Sequence, residues 1–298
     1  MVIEIIEFTD PACTWCWGSE PILRKLETHY AGNIKINFNM GGLVEDIRNF
    51  RDAHNDIGGD LSKVNAQVAK HWLEASERHG MPVEAKGFSL FSEEHPSTYP
   101  MNIAFKAAQF QDEKLAKIFL RRMREAVAAE ARQVNQTEVL IELAQESGFD
   151  VAQFIKSFSD GSAEKAFYED LKITQAYKIH GFPSFLIKGN VGKEILLRGY
   201  QSYDAFQEVI NHLTNGSLVA KRIEGTEEAI LDFVNRFGRV AQVEIEVCLN
   251  LSAAKVTERL QSLKKQKLIT LLPAGNGYFI TPRVEPLSCN SIAGMCSF

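Results

Sequence analysis

Val2–Phe8 is a run of β-branched and large apolar residues that breaks at Thr9-Asp10-Pro11 and passes directly into Cys13-Thr14-Trp15-Cys16. A strand that turns into a helix with two cysteines at the junction admits few architectures. The strand needs a sheet, the helix must cross it, and sulfur sits where they meet. The helix extends to about Tyr30. Gly32-Asn33 then turns the chain into the alternating strand Ile34–Met40, so the opening is β-α-β, the unit from which α/β folds are built.

From about Ser62 to Lys178 the hydrophobic period changes. The stretch Ala104–Val127 places apolar residues three and four apart over several turns, as an amphipathic helix requires. Asn135 precedes Glu138 by three and Asp150 precedes Gln153 by three, two capping patterns, with Gly148 between them as a terminator. Strand character returns at Pro183–Gly189 and Lys193–Tyr200 around a turn at 189–192, followed by a helix at Ser202–Leu213. The pieces flanking the helical block, β-α-β and β-β-α, together make one small sheet with helices. Asn215-Gly216-Ser217 opens a linker. Beyond it come a helix at Glu227–Phe237, a short helix, a turn at Leu249–Ser252, and a helix with Val256, Leu260 and Leu263 inward. Two strands around Pro273-Ala-Gly-Asn-Gly277 would form a wing. The expected organisation is residues 1–61 and 179–216 as one discontinuous α/β domain, 62–178 as an all-helical insertion, 217–283 as a winged-helix-like domain, and 284–298 as a cysteine-containing tail.

The formal net charge of −5 gives no global argument for nucleic acid or an anionic membrane. No apolar run reaches the roughly 18 residues that span a bilayer. The amino terminus carries acids where a secretory signal carries bases, and this predicts a cytoplasmic protein. Five cysteines in 298 residues are too few for a disulfide scaffold, so a close pair points to catalysis, sensing or metal. Metal is disfavoured because Cys13 and Cys16 lack a partner pair and His29, His54 and His71 lack ligand-like spacing. Redox work fits the placement. A sulfur at the first turn of a helix faces unpaired N–H groups and the positive end of the dipole, which favour the thiolate that attacks disulfides. Cys13 would be the exposed nucleophile and Cys16, one turn inside, the resolving thiol, with Thr14 and Trp15 tuning the pair. The alternative is a relic pair on a fold that only binds.

Gly181-Phe182-Pro183 immediately before a strand is unusual, because proline cannot donate to a ladder. A cis Phe182–Pro183 bond would bring the ring against the cysteines and expose backbone to an extended substrate; the alternative is an ordinary trans proline opening a strand. Glu4 and Glu7 interrupt a strand that should be central. One, with Glu7 the candidate, could lie beneath Cys16 and carry its proton; otherwise both reach solvent at a strand end. His180 reads as a spacer and Cys248 as core. Cys289 and Cys296 are either an accessory redox pair or unremarkable tail thiols.

The words Asp10–Pro21, Gly181–Ile187 and Leu197–Ile210, with the helical insertion, resemble the DsbA-like branch of the thioredoxin-fold disulfide oxidoreductases, particularly its FrnE-like members, over about residues 1–214. The resemblance implies a thioredoxin fold interrupted by a helical domain. It also implies Cys13 as nucleophile, Cys16 as resolving thiol, Pro183 as the cis-proline and Phe182 shaping the substrate groove. No cofactor is implied, because the cysteines carry the electrons to and from a thiol- or disulfide-containing protein or small molecule. Two departures matter: no leader is evident, and the Thr-Trp dipeptide lacks histidine, so strong oxidant character does not carry over. The layout, with Ala104–Gln111 and Phe119–Ala126, also resembles the SpxH adaptor proteins, which present a transcription factor to the ClpXP protease. That likeness implies a binding rather than a catalytic role. Over Thr226–Arg283 eight Lys+Arg stand against six Asp+Glu, no clear basic stripe, so a protein-contact or packing role for the last unit is preferred to DNA.

Overall fold

The computed structural model describes residues 2–189 and 192–283. Strand β1 (Ile3–Thr9) forms the centre of a four-stranded sheet, pairing parallel with β2 (Ile34–Met40) and antiparallel with the strand that follows Pro183. Between β1 and β2 runs α1 (Thr14–His29), and after β2 a small hairpin, β3 (Arg51–Asp52) and β4 (Ile57–Gly58), leads into six helices. These are α2 (Leu61–His79), α3 (Tyr99–Gln109), α4 (Glu113–Ala129), α5 (Thr137–Glu146), α6 (Val151–Ser159) and α7 (Ser162–Ala176). The chain then returns through β5 (Ser184–Lys188), β6 (Glu194–Arg198) and α8 (Tyr203–Thr214), giving the sheet order β2-β1-β5-β6. The two sequence fragments that flank the helices therefore build one sheet.

Period-two alternation sorts β1 between two environments. Ile3 and Ile5 join Phe185 and Ile187 beneath Leu23 and Leu26 of α1 and Phe206 and Ile210 of α8. Phe8 faces the other way, against Leu186 and Ile179. Glu7, two residues beyond Ile5, consequently points into the α1 layer.

The insertion has its own large apolar core, which continues through Trp17 and Met40 into the sheet domain and through Phe279 into the last unit. Asp150 caps α6 by accepting the Gln153 amide at 2.9 Å, and Gly148, at φ +87°, ends α5. The expected Asn135 cap does not form. α5 opens at Gln136 without a side-chain cap, and buried Asn135 donates through Nδ2 to the Leu90 and His95 carbonyls. Its amide satisfies two carbonyls of the loop between α2 and α3, a demand set by tertiary packing rather than by the helix start.

The last unit comprises α9 (Glu227–Phe237), β7 (Val240–Ala241), α10 (Gln242–Leu249), α11 (Ala253–Lys265), β8 (Ile269–Ala274) and β9 (Gly277–Pro282). Its three strands pair in the order β7-β9-β8, and Val256, Leu260 and Leu263 are buried as their spacing predicts. Several contacts fasten it to the rest. α10 lies along α1, where Lys25 donates to Asn250 at 2.6 Å and the His29 ring meets the Cys248 carbonyl at 2.8 Å. The β8–β9 turn inserts against residues 81–83: the Asn276 amide donates to the Val83 carbonyl (3.0 Å), and the Val83 amide donates to Asn276 Oδ1 (2.9 Å).

Candidate active site

Cys13 is the N-cap of α1. Its backbone is extended (φ −85°, ψ 113°) and its Sγ accepts the Cys16 amide at 3.1 Å, so sulfur occupies the place a serine or aspartate oxygen takes at other helix starts. The loop before it is held by Asp10, wholly buried, which accepts from the amides of Ala12 (2.8 Å) and Leu43 (2.7 Å) and from Thr98 (2.9 Å) and Asn102 (2.8 Å). Burial raises the Asp10 pKa, and these four donors oppose the shift. One carboxylate thus ties the cysteine loop, the end of β2 and α3 together. Sequence reasoning passed over this residue, although an acid three positions before Cys13 was a legible signal.

Cys13 is 5% exposed, less than the sequence reading expects of the nucleophile, and Cys16 is sealed. Both are free thiols. Cys13 is reached through a cavity of about 650 Å³ that it lines together with Thr14, Trp15 and Phe182. Trp15 is half-buried within an aromatic cluster of Tyr200, His79 and His71, at ring distances of 5.6, 6.0 and 6.4 Å. The Phe182–Pro183 bond is cis, and Pro183 is buried immediately before β5. Since Phe8 pairs with Ser184, the register brings Pro183 to the end of β1 from which the cysteine loop departs. Phe182 lies on Gly41 at the end of β2, where a Cβ would stand 2.0 Å from the ring; only glycine admits so close an approach. His180 is exposed at the same cavity.

Glu7 and Glu4 separate as their faces dictate. Glu4 accepts from Asn37 (2.6 Å) and reaches Lys188 at a partly exposed edge. Glu7 is wholly buried and pairs with Arg124 of α4 at 3.3 Å. Arg124, itself inaccessible, also binds Glu20 of α1 and Thr9, both at 2.5 Å. Burial drives the Glu7 pKa up to about 7, against the pull of Arg124. Burial also pushes the Cys16 thiol well up, and the adjacent Cys13 and Glu7 add to the effect. Arg124 had no signal in the sequence, because its partners lie more than a hundred residues away. Among the described residues no group of three or more His, Cys, Asp or Glu could hold a metal ion. Cys248 is buried, its thiol raised to about 11 by burial. Cys289 and Cys296 lie outside the described residues.

A family model described as "Thioredoxin" matches residues 7–208. The ClpXP adapter protein SpxH of Halalkalibacterium halodurans is 27% identical over 279 residues, covering 93% of this chain and 88% of that protein. A protein of the same name from Bacillus cereus is 30% identical over 214 residues, covering 71% and 68%. Among solved structures, the cytosolic disulfide reductase DsbM from Pseudomonas aeruginosa has a TM-score of 0.53 at 21% identity, covering 70% of this chain and 99% of that one, a likeness of fold. No described helix is long and apolar enough to cross a membrane.

Proposed function

This chain belongs to the thioredoxin family, and from that premise we propose that it is a thiol–disulfide oxidoreductase working through Cys13 and Cys16. The observation that carries the reading is the Cys13 sulfur at the N-cap of α1, accepting the Cys16 amide on the wall of an open cavity. In this reading Cys13 attacks a disulfide as thiolate. Cys16 then attacks the mixed disulfide and its proton passes to Glu7, which shares a buried electrostatic environment with it. Thr14, Trp15, Phe182 and Pro183 flank the substrate. No cofactor takes part, and in a reducing cytoplasm the pair rests as the dithiol. We read residues 1–61 and 179–216 as the redox domain, 62–178 as its helical insertion and 217–283 as a winged-helix-like unit. That unit serves contact and packing rather than DNA, since its wing turn is bonded to Val83. Cys289 and Cys296 are proposed as an accessory redox pair.

A second reading, an adaptor that delivers a protein partner to a protease, is favoured by a separate observation. The likeness to a protein named ClpXP adapter covers 93% of the chain, well past the limit of the Thioredoxin match. Reduction of insulin disulfides by the full-length chain with dithiothreitol separates the two. The enzyme reading expects Cys13→Ser to lower the rate about a hundredfold or more, the scale on which covalent participation is lost. A rate unchanged by that substitution overturns it. A Cys16→Ser chain should capture substrates as mixed disulfides, whereas recovery of a protease component indifferent to both cysteines supports the adaptor.

A further inference from the structure

Asp10, wholly buried three residues before Cys13, divides its two oxygens between two parts of the molecule. Oδ1 accepts the Ala12 amide (2.8 Å), and the Asp10 carbonyl accepts the Cys13 amide (3.1 Å), so the residue folds the turn from which the Cys13 sulfur reaches the N-cap of α1. Oδ2 accepts from beyond that turn: the Leu43 amide after β2 (2.7 Å), the Thr98 hydroxyl (2.9 Å) and Asn102 Nδ2 (2.8 Å). Both side chains from the insertion forgo bonds nearer home to make this contact. Thr98 is the N-cap of α3, yet it makes no capping bond to that helix; its hydroxyl goes to Asp10 and to the Val44 amide instead. Asn102 is inaccessible, and turning Nδ2 to Asp10 leaves its Oδ1 without a hydrogen bond among the described residues. Ala12 and Leu43, whose amides Asp10 binds, line the same cavity as Cys13.

We propose that Asp10 is a positioning residue for the exchange reaction, holding Cys13 within reach of Cys16 by anchoring the cysteine turn to α3. The proposal deepens the exchange reading and rests on it. In the first step the Cys13 thiolate bonds to one substrate sulfur, the S–S bond breaks, and the other half leaves as a thiolate. In the second the Cys16 sulfur bonds to Cys13 Sγ, its proton goes to Glu7, and the bound half leaves as a thiolate. The substrate is reduced by two electrons and the pair oxidised to a disulfide. The first step needs only that the Cys13 sulfur be reached from the cavity. The second is an intramolecular attack, and such attacks depend steeply on how the reacting atoms are held. Freed from α3, the turn keeps Cys13 as open to the cavity as before or opens it further. Cys16, fixed one turn inside α1, then meets the Cys13 sulfur in line less often. The anchor therefore acts on resolution rather than on the opening attack.

The test uses the full-length chain carrying Cys289→Ser and Cys296→Ser, reduced, freed of reductant and mixed with one equivalent of dithiobis(nitrobenzoate), whose two coloured halves report the two steps in turn. Cys248 is buried and does not compete. In an Asp10→Asn chain the amide oxygen can take the place of Oδ2 and keep the donors of Leu43, Thr98 and Asn102, while its NH2 group faces the Ala12 amide and detaches the turn. The first release should keep its rate or quicken, and the second should slow about tenfold or more. Thr98→Val takes one donor from the anchor and should slow the second release about threefold, the scale of one hydrogen bond, whereas Thr98→Ser should leave it native. Added to Asp10→Asn, Thr98→Val should slow it no further, because the route through Asp10 is already cut. Should Asp10→Asn not fold, the valine and serine variants decide alone. A second release unchanged by these substitutions overturns the proposal, as does an additive effect of Thr98→Val. Two releases that quicken or slow together also overturn it, since they mark general loosening. If the chain with Asp10 intact releases no second half, the exchange reading itself fails and the positioning role falls with it; a normal second release there, matched by every variant, removes the positioning role alone.

Discussion

Glu7 is a carboxyl in the middle of a strand with no access to water, and its raised pKa makes it a measurable term in stability. A group whose folded pKa lies above its unfolded value favours the fold in its protonated form. That contribution is complete below about pH 4.5 and is lost as pH rises towards about 7, by which point the loss amounts to about 3 kcal/mol. Urea unfolding of the reduced chain and of Glu7→Gln between about pH 4.5 and 8 should give curves that diverge by about that amount, the glutamine variant losing less with rising pH. Parallel curves would show that Glu7 ionises in the fold as it does in the open chain. The residue could be suspected from sequence because an acid broke an apolar strand, and alternation says which face it takes. Its partner could not, since Arg124 sits in Leu120-Arg-Arg-Met-Arg, a string that reads as a solvated helix face until α1 and the last unit cover it.

At the level of elements, the local signals that proved decisive were those whose chemistry is spent locally. Asp150 binds the helix it precedes, and Pro183 and the cysteine pair mark the ends of the strands they flank. Asn135 failed as a cap because the loop before α3, 40 residues upstream, claims its amide. The turn at Gly275-Asn276 shows both behaviours. The dipeptide signals a hairpin, and β8 and β9 form one, yet nothing in it tells that the tip is clamped to residue 83. Gly275 is held at φ +51°, and a Cβ there would lie 2.3 Å from the Val83 carbonyl. Gly275→Ala should therefore lift the hairpin from this seat, at a cost of about 2 kcal/mol or more. Hydrogen exchange should quicken at the Asn276 amide, which donates to Val83, while the β1 amides keep their protection. Unchanged exchange at residue 276 would mean that the hairpin does not depend on this contact.

Across the whole molecule the three parts of the chain are joined by a buried set of charges as well as by shared apolar packing. Glu244 of α10 is inaccessible and accepts from Arg24 of α1 at 2.8 Å, from Arg121 of α4 at 2.9 and 3.0 Å, and from the Ala241 amide at 2.6 Å. Arg121 also lies 4.4 Å over the Trp17 ring and contacts Glu20 and Glu125, while Arg239 of the last unit reaches Glu125 and Glu130. Members of this set come from each part of the chain, and Arg121 and Glu244 are 123 residues apart, so no window of sequence contains the pattern. Breaking a buried pair on one side costs more than replacing both sides, because the surviving charge keeps its desolvation penalty. Glu244→Gln should lower unfolding stability by about 3–5 kcal/mol, and Arg121→Met together with Glu244→Gln should cost less than the sum of the two single changes. Loss of the Glu244 charge leaves Arg24 of α1 and Arg121 of α4 without the α10 carboxylate they share, so the last unit should loosen as a body. Protease cleavage within residues 215–226 should then accelerate before the sheet itself opens. A single cooperative transition of unaltered midpoint, with cleavage at the native rate, would place the joint between the parts in the apolar contacts of Trp17 and Phe279 instead.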